Sequence, residues 1–154
     1  MLILKIVLYL ILIVSVHELS HVLVALCVSF KITGMGISLL PVPHFHVSVI
    51  SHGGLKQTLF ILSGLIIELS FFAVLLCFEF FSSPALYYAL SLQILIDSNP
   101  FYSDALFAIE KDAAYYTGPI QENPYLFSKN WYLLLTAWFI LIIVLIIIKQ
   151  NISL

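Results

Sequence analysis

Apolar residues dominate four stretches of the chain, and most polar residues lie between them. The apolar stretches run from Leu2 to Phe30, from Leu55 to Phe81, from Ala85 to Ile109 with an interruption, and from Trp131 to Ile148. Apolar runs of about 18 residues or more are long enough for a helix to cross the hydrocarbon core of a bilayer. The pattern therefore predicts about four transmembrane helices, the last of which begins with an interfacial tryptophan.

The segment between the first two apolar runs has a different period. Polar and apolar side chains alternate from His44 to His52, and glycine and proline residues punctuate the segment from Lys31 to Gln57. A period near two is typical of a β-strand with one buried face. The sequence therefore predicts a short β-hairpin that ends at His52-Gly53-Gly54. Its apolar face would carry Phe45, Val47 and Val49.

Polar residues interrupt the third apolar run. Its first part, from Ala85 to Ile96, is too short to span about 30 Å of hydrocarbon by itself. Pro100 breaks a helix, and Asn99 is suited to cap a new helix that begins at the proline. Such a break at membrane depth requires protein or water around the freed backbone groups, so it indicates an internal, hydrated site. The alternative is an ordinary helix end followed by a surface helix, with Asp97 and Asp104 in solvent.

Composition assigns the chain to the integral membrane proteins. Hydrophobic residues make up 62% and charged residues 9% of the 154 residues, and the mean hydropathy is +1.14. Soluble domains are about 45–50% apolar and about 25% charged. The length predicts one domain, residues 1–154, and the net charge of −2 argues against a nucleic-acid partner. The predicted fold is an all-α membrane protein with about four transmembrane helices, a broken third helix and a short β-hairpin between helices 1 and 2.

One short motif in the first apolar run indicates a chemical function. His17-Glu18-Leu19-Ser20-His21 has the form HExxH, and residues four apart on a helix share one face. His17 and His21 can therefore direct imidazole nitrogens at one Zn²⁺, while Glu18 is placed to accept a proton from a zinc-bound water. The alternative is a buried hydrogen-bonded cluster of the same three residues that holds helices together.

Other polar residues have roles that the pattern leaves open. Glu68 lies near the middle of the second apolar run, where a carboxyl group should face the protein interior. It either hydrogen-bonds a substrate or a metal ligand, or it is a protonated structural carboxyl group. His44, His46 and His52 suggest a second metal site, but no acidic residue lies between Lys31 and Gln57 to orient such ligands. A structural or interfacial role is therefore favoured for these histidines, and the strand edge is an alternative place for an extended peptide.

These features resemble the site-2 protease family of intramembrane zinc metalloproteases. The resemblance rests on the HExxH motif from His17 to His21 and on the stretch from Asn99-Pro100 to Asp104, and it covers the chain from Leu2 to about Ile109. It implies a zinc ion held by two histidines and one aspartate, and cleavage of a peptide bond within or beside the membrane. It also implies an active site towards the cytoplasmic side.

Two aspartates flank the break in the third apolar run and compete as the third ligand. Because the resemblance places the ligand after the Asn-Pro element, Asp104 is the expected one. Asp97 is then expected to accept the free N–H of His17 or His21, a contact whose loss lowers metal affinity or activity by about 10–100-fold.

The function expected from the resemblance is that of a zinc metalloendopeptidase in the plasma membrane of a prokaryote. Its substrate would be a membrane-associated or small peptide, or a single-span membrane protein. Two other classes stay open: a metal-binding membrane transporter or sensor, and a non-enzymatic membrane partner of a peptide-export system. Glu18 separates the enzyme from the transporter, because a transport site has no need for a non-ligating carboxylate directly after the first histidine. The sequence identifies neither the substrate nor the oligomeric state.

Overall fold

The described part of the chain is mostly helical and contains a small antiparallel sheet. The computed structural model describes residues 1–38, 44–50, 54–77, 83–101, 103–109 and 128–151. Its elements in chain order are α1 (Leu2–Cys27), β1 (Lys31–Ser38), β2 (His44–Ile50), α2 (Gly54–Cys77), α3 (Pro84–Asp97), α4 (Asp104–Ile109) and α5 (Lys129–Asn151). Helices therefore occupy each of the four apolar runs, and a hairpin follows the first helix.

Three of these helices, α1, α2 and α5, are long and apolar enough to cross a membrane. Many of their large apolar side chains point away from the protein, such as Ile3 at 77% and Leu133 at 62% exposed. α3 has 14 residues, which at about 1.5 Å per residue gives about 21 Å, less than the hydrocarbon thickness of about 30 Å. The prediction of membrane-spanning helices is thus confirmed for three helices by length and apolarity.

α1 packs against both α2 and α3, and α4 packs against α2 and α5. The largest buried apolar cluster joins α1, α2, α3 and α5 and consists of Ile13, Phe72, Leu75, Tyr87, Ala89, Leu90, Ile94 and Leu145. Two hydrogen bonds from side chains to backbone fasten α3 to α5. Tyr87 Oη donates to the carbonyl of Leu145 at 2.5 Å, and Trp138 Nε1 donates to the carbonyl of Leu95 at 2.9 Å.

The hairpin covers one end of α1 and α2. β1 and β2 pair antiparallel, with Ile32 opposite Val49 and Met35 opposite Val47. Ile32, Val47 and Val49 pack against a buried cluster formed by Ala25, Phe30, Phe60 and Ile61. The alternation in the sequence therefore marks the face of the strand that contacts the helices.

The break after α3 differs from the prediction in where the next helix begins. α4 begins at Asp104, and not at Pro100. Asn99 Oδ1 accepts a hydrogen bond from the backbone N–H of Phe101 at 2.9 Å, so its side chain closes a local turn instead of capping a helix. The prediction of a helix that starts at Pro100 with Asn99 as its cap is wrong, because this local turn competes with the cap.

Ser103 takes the capping position instead. Its Oγ accepts a hydrogen bond from the backbone N–H of Leu106 at 3.2 Å, the contact expected of a residue that precedes the first turn of a helix. Asp104 is consequently the first residue of α4. Leu106, two residues further along α4, is fully buried and anchors this short helix.

Candidate metal centre

His17 and His21 lie on the buried face of α1. They are 5% and 7% exposed, and the other buried residues of the helix, Ile13 and Ala25, continue the same i, i+4 row. The Nε2 atoms of the two rings are 3.0 Å apart. The spacing of the HExxH motif thus places both imidazoles side by side within the helical core.

Asp104 completes a group of three potential metal ligands. Its Oδ2 atom lies 3.2 Å from Nε2 of His17 and 3.3 Å from Nε2 of His21. The three residues are close enough together to hold a metal ion. Asp104 is distant in sequence from both histidines, and the packing of α4 against α2 brings its carboxylate to them.

The hydrogen bonds on the far side of the rings determine which nitrogen carries the proton. His21 Nδ1 lies 2.7 Å from the backbone carbonyl oxygen of Phe60, which can only accept a hydrogen bond. Nδ1 of His21 therefore donates, and Nε2 of the neutral ring is left with a lone pair. Nδ1 of His17 lies 2.8 Å from a carboxyl oxygen of Glu68, and donation to that oxygen likewise leaves the Nε2 lone pair towards the centre.

With the protons of both rings on Nδ1, three electron-rich atoms face one another. Asp104 Oδ2 is buried and makes no hydrogen bond to any described residue, which costs about 1–3 kcal/mol for an unsatisfied polar group. A cation held between the three atoms would satisfy this oxygen. A tetrahedral ion with bonds of about 2.0–2.1 Å keeps its ligand atoms about 3.3 Å apart. The observed separations of 3.0–3.3 Å fit such an ion.

Two further carboxyl groups lie near Nδ1, the other ring nitrogen of His17. Glu68 Oε1 lies 2.8 Å and Asp97 Oδ2 lies 3.1 Å from Nδ1 of His17. Gln93 Nε2 donates to the same Asp97 oxygen at 2.8 Å and so holds this carboxylate in place. His17, Glu68 and Asp97 are also close enough together to hold a metal ion. The two competing aspartates thus meet opposite edges of one imidazole, Asp104 at Nε2 and Asp97 at Nδ1.

Small residues of α2 make room for the two rings. A Cβ atom at Gly64 would lie 2.1 Å from Cε1 of His17 and 2.4 Å from both ring nitrogens, distances that real Cβ contacts essentially never show. Ser63 Oγ lies 2.9 Å from Nδ1 of His21 and donates to the carbonyl of Phe60 at 2.8 Å. The small residues Ser63 and Gly64 therefore allow α2 to contact the imidazoles of α1 directly.

Glu18 follows His17 on α1 and is outside the group of three ligands. It is partly exposed, and neither group of potential ligands found among the described residues includes it. Because successive residues of a helix are about 100° apart, the side chain of Glu18 leaves α1 about 100° away from that of His17.

The sequence-based predictions for the other histidines are not tested by the structure. His44 and His46 lie in β2, but their side chains lie outside the described part of the chain, and so does His52. Sequence analysis missed two groups of the site, the carbonyl of Phe60 and the amide of Gln93. A backbone carbonyl has no sequence signal, whereas Gln93 is one of few polar residues in an apolar helix and is detectable on that ground.

Comparison with known protein families, with curated proteins and with solved structures found no match. The geometry by itself shows two imidazole nitrogens and one carboxylate oxygen that could hold a metal ion, on and beside a helix that is apolar enough to cross a membrane.

Proposed function

We propose that the chain is an intramembrane zinc metalloendopeptidase. The observation that carries this proposal is the convergence of Nε2 of His17, Nε2 of His21 and Oδ2 of Asp104 at separations of 3.0–3.3 Å. Glu18 directly follows His17 on the same helix. Two histidines and a carboxylate are a ligand set of catalytic zinc sites, in which the fourth position is left for water. Glu18 supplies the base that hydrolysis at such a site needs.

Glu18 performs the proton transfers of the proposed reaction. Bound zinc supplies a Lewis acid that polarises the scissile carbonyl and makes a water molecule more acidic. Glu18 accepts a proton from this water as the water oxygen bonds to the carbonyl carbon. When the carbon–nitrogen bond breaks, Glu18 returns the proton to the leaving nitrogen, and the products are a carboxylic acid and an amine.

The proposed arrangement in the membrane has four spans, with α3 and α4 together forming the broken third span and the amino terminus outside. The lysines support this orientation through the positive-inside tendency. It places Lys31, Lys56, Lys111 and Lys129 on the cytoplasmic side and Lys5 and Lys149 outside. His17 and His21 precede the end of α1 at Cys27 by about 15 and 9 Å, at about 1.5 Å per residue. The active site is thus nearer the cytoplasmic face, in a prokaryotic plasma membrane.

The proposed substrate is a membrane-associated or small peptide, or a single-span membrane protein. A site within a membrane-spanning helix meets peptides that approach through or along the bilayer. Because a helical peptide keeps its carbonyl oxygens in internal hydrogen bonds, the scissile segment must be extended or locally unwound to reach Glu18 and the ion.

Glu18→Gln tests the proposal, because glutamine removes the base and leaves the three ligands in place. The full chain, purified in detergent, should contain about one zinc per molecule by mass spectrometry of its metal content, and so should Glu18→Gln. New peptide amino termini should appear in membranes of cells that express the original chain and be absent with Glu18→Gln. Ser70→Ala, at an exposed position on α2, is the control and should leave both readouts unchanged.

Two results would contradict the enzyme and favour the other classes. Bound metal with the same set of new termini in Glu18→Gln would indicate a metal-binding transporter or sensor. Cellular function that persists in metal-free His21→Ala and Asp104→Ala variants would indicate a non-enzymatic partner of a peptide-export system.

A further inference from the structure

The two histidines of the centre have different partners at Nδ1. His21 Nδ1 meets neutral groups, the carbonyl of Phe60 at 2.7 Å and the hydroxyl of Ser63 at 2.9 Å. His17 Nδ1 meets two carboxyl groups, Glu68 at 2.8 Å and Asp97 at 3.1 Å. The imidazole of His17 therefore lies between acidic groups at both of its nitrogens, and that of His21 does not.

Glu68 is the more deeply placed of the two carboxyl groups at Nδ1. It is 2% exposed, and its second oxygen, Oε2, is buried and makes no hydrogen bond to any described residue. Asp97 is less buried, and its Oδ2 also accepts a hydrogen bond from Gln93. A carboxyl group is costly in an apolar membrane helix, so a buried Glu68 with an incompletely satisfied side chain indicates a role in the site it contacts.

The ring of His17 is closely surrounded. Gly64 lies against it, and His21 Nε2 and Asp104 Oδ2 lie 3.0 and 3.2 Å from its Nε2 atom. Glu68 therefore contacts Nδ1 of His17, while Nε2 of the same ring faces His21 and Asp104. An anionic acceptor at this N–H makes the opposite nitrogen a stronger electron donor than a neutral carbonyl does.

We propose that Glu68 is a positioning residue for His17: its carboxylate accepts the Nδ1–H, fixes the tautomer and directs the Nε2 lone pair at the metal. Asp97, held by Gln93, supports the same N–H from α3. The inference rests on the proposed metal centre and goes further by assigning unequal strength to its two imidazole ligands, with His17 the stronger.

Two substitutions of Glu68 separate positioning from simple packing. Glu68→Gln keeps an oxygen that can accept the N–H of His17 but removes the negative charge, while Glu68→Leu removes both. Zinc affinity, measured by chelator competition on the purified full chain, should fall about 10–100-fold for Glu68→Leu and by an intermediate factor for Glu68→Gln. The Co²⁺-loaded protein should show an altered visible absorption spectrum in the same order, which a loss of packing alone would not produce.

Phe72→Leu is the matched control, because Phe72 lies one turn along the same buried face of α2 and belongs to the apolar cluster. It should lower stability without changing zinc affinity or the Co²⁺ spectrum. Ser63→Ala, on the neutral side of the site, should weaken zinc binding less than Glu68→Gln. Because Glu68→Gln is nearly the same size and shape as the original residue, it keeps the test usable if Glu68→Leu does not fold.

The positioning role would be overturned if the original chain binds zinc tightly and folded Glu68 variants have the same zinc affinity and Co²⁺ spectrum. The proposed metal centre would not be affected by that result. Two ions per original chain, one of them lost in Glu68→Leu, would also overturn it, because Glu68 and Asp97 would then hold an ion of their own. An original chain that binds no zinc would overturn the metal centre and the positioning role together.

Discussion

Replacing Gly64 by alanine should displace the imidazole of His17 and weaken metal binding. The added Cβ atom would lie 2.1 Å from Cε1 of His17, while ordinary van der Waals contacts begin at 3.4 Å. The ring or the helix must therefore move by roughly 1.3 Å, whereas metal–ligand bonds tolerate about 0.2 Å. His17 Nε2 can no longer lie at its present distances from His21 and Asp104.

The size of the effect follows from two opposing contributions to stability and one contribution to binding. Alanine is favoured over glycine inside a helix by about 0.8–1 kcal/mol, and overpacking costs about 1–3 kcal/mol. The free energy of unfolding of the metal-free protein should therefore change by about 2 kcal/mol or less. Loss of a partner behind a ligand lowers metal affinity about 10–100-fold, and displacement of the ligand itself belongs at the upper end, about 2.7 kcal/mol.

The assay is zinc competition with a chromogenic chelator, together with thermal unfolding of the metal-free chain in detergent. Gly34→Ala is the matched control, because nothing lies within 4 Å of a Cβ atom at Gly34. It should leave zinc affinity unchanged. A Gly64→Ala protein that unfolds like the original chain and binds zinc within about twofold of it would refute the reasoning, since the ring would then have room that the structure does not show.

Three further predictions concern the third ligand, the attachment of α5 and the topology. Asp104→Ala should lose zinc almost completely, whereas Asp97→Ala should lower zinc affinity only about 10–100-fold. If zinc titrations show the larger loss for Asp97→Ala, Asp97 is the third ligand. Tyr87→Phe removes the hydrogen bond to the carbonyl of Leu145 and should lower the free energy of unfolding by about 0.5–1.5 kcal/mol in denaturant titrations, so an unchanged midpoint would contradict that role. Reporter fusions at the carboxyl terminus should be active only outside the cell, and activity confined to the cytoplasm would contradict the proposed orientation.

The parts of the fold that depend on local pattern could be predicted from the sequence. Long apolar runs specify α1, α2 and α5, and the alternation that ends near Ile50 specifies β2. The spacing of His17 and His21 is local as well, because any helix places residues four apart on one face. Their Nε2 separation of 3.0 Å follows from that spacing once the Nδ1 atoms have partners.

The parts that depend on contacts between helices could not be predicted in the same way. Ser103, and not Asn99, caps α4, because the side chain of Asn99 is used in a turn that only the folded chain shows. Glu68 was recognisable as an intramembrane carboxyl group, but its contact with His17 depends on how α2 packs against α1. The need for glycine at position 64 likewise appears only when the ring of His17 is in place.

The placement of Asp104 on a late, short helix has a consequence for biogenesis. Ribosomes make α1, with both histidines, well before they reach α4, so a partly synthesised chain carries two imidazoles without the carboxylate that completes the proposed centre. The carboxylate of Asp104 reaches the histidines through the contact of α4 with α2, so the group of three ligands is complete only after α4 has been made. A nascent chain, or one truncated before α4, therefore lacks one of the three ligands on which the proposed activity depends.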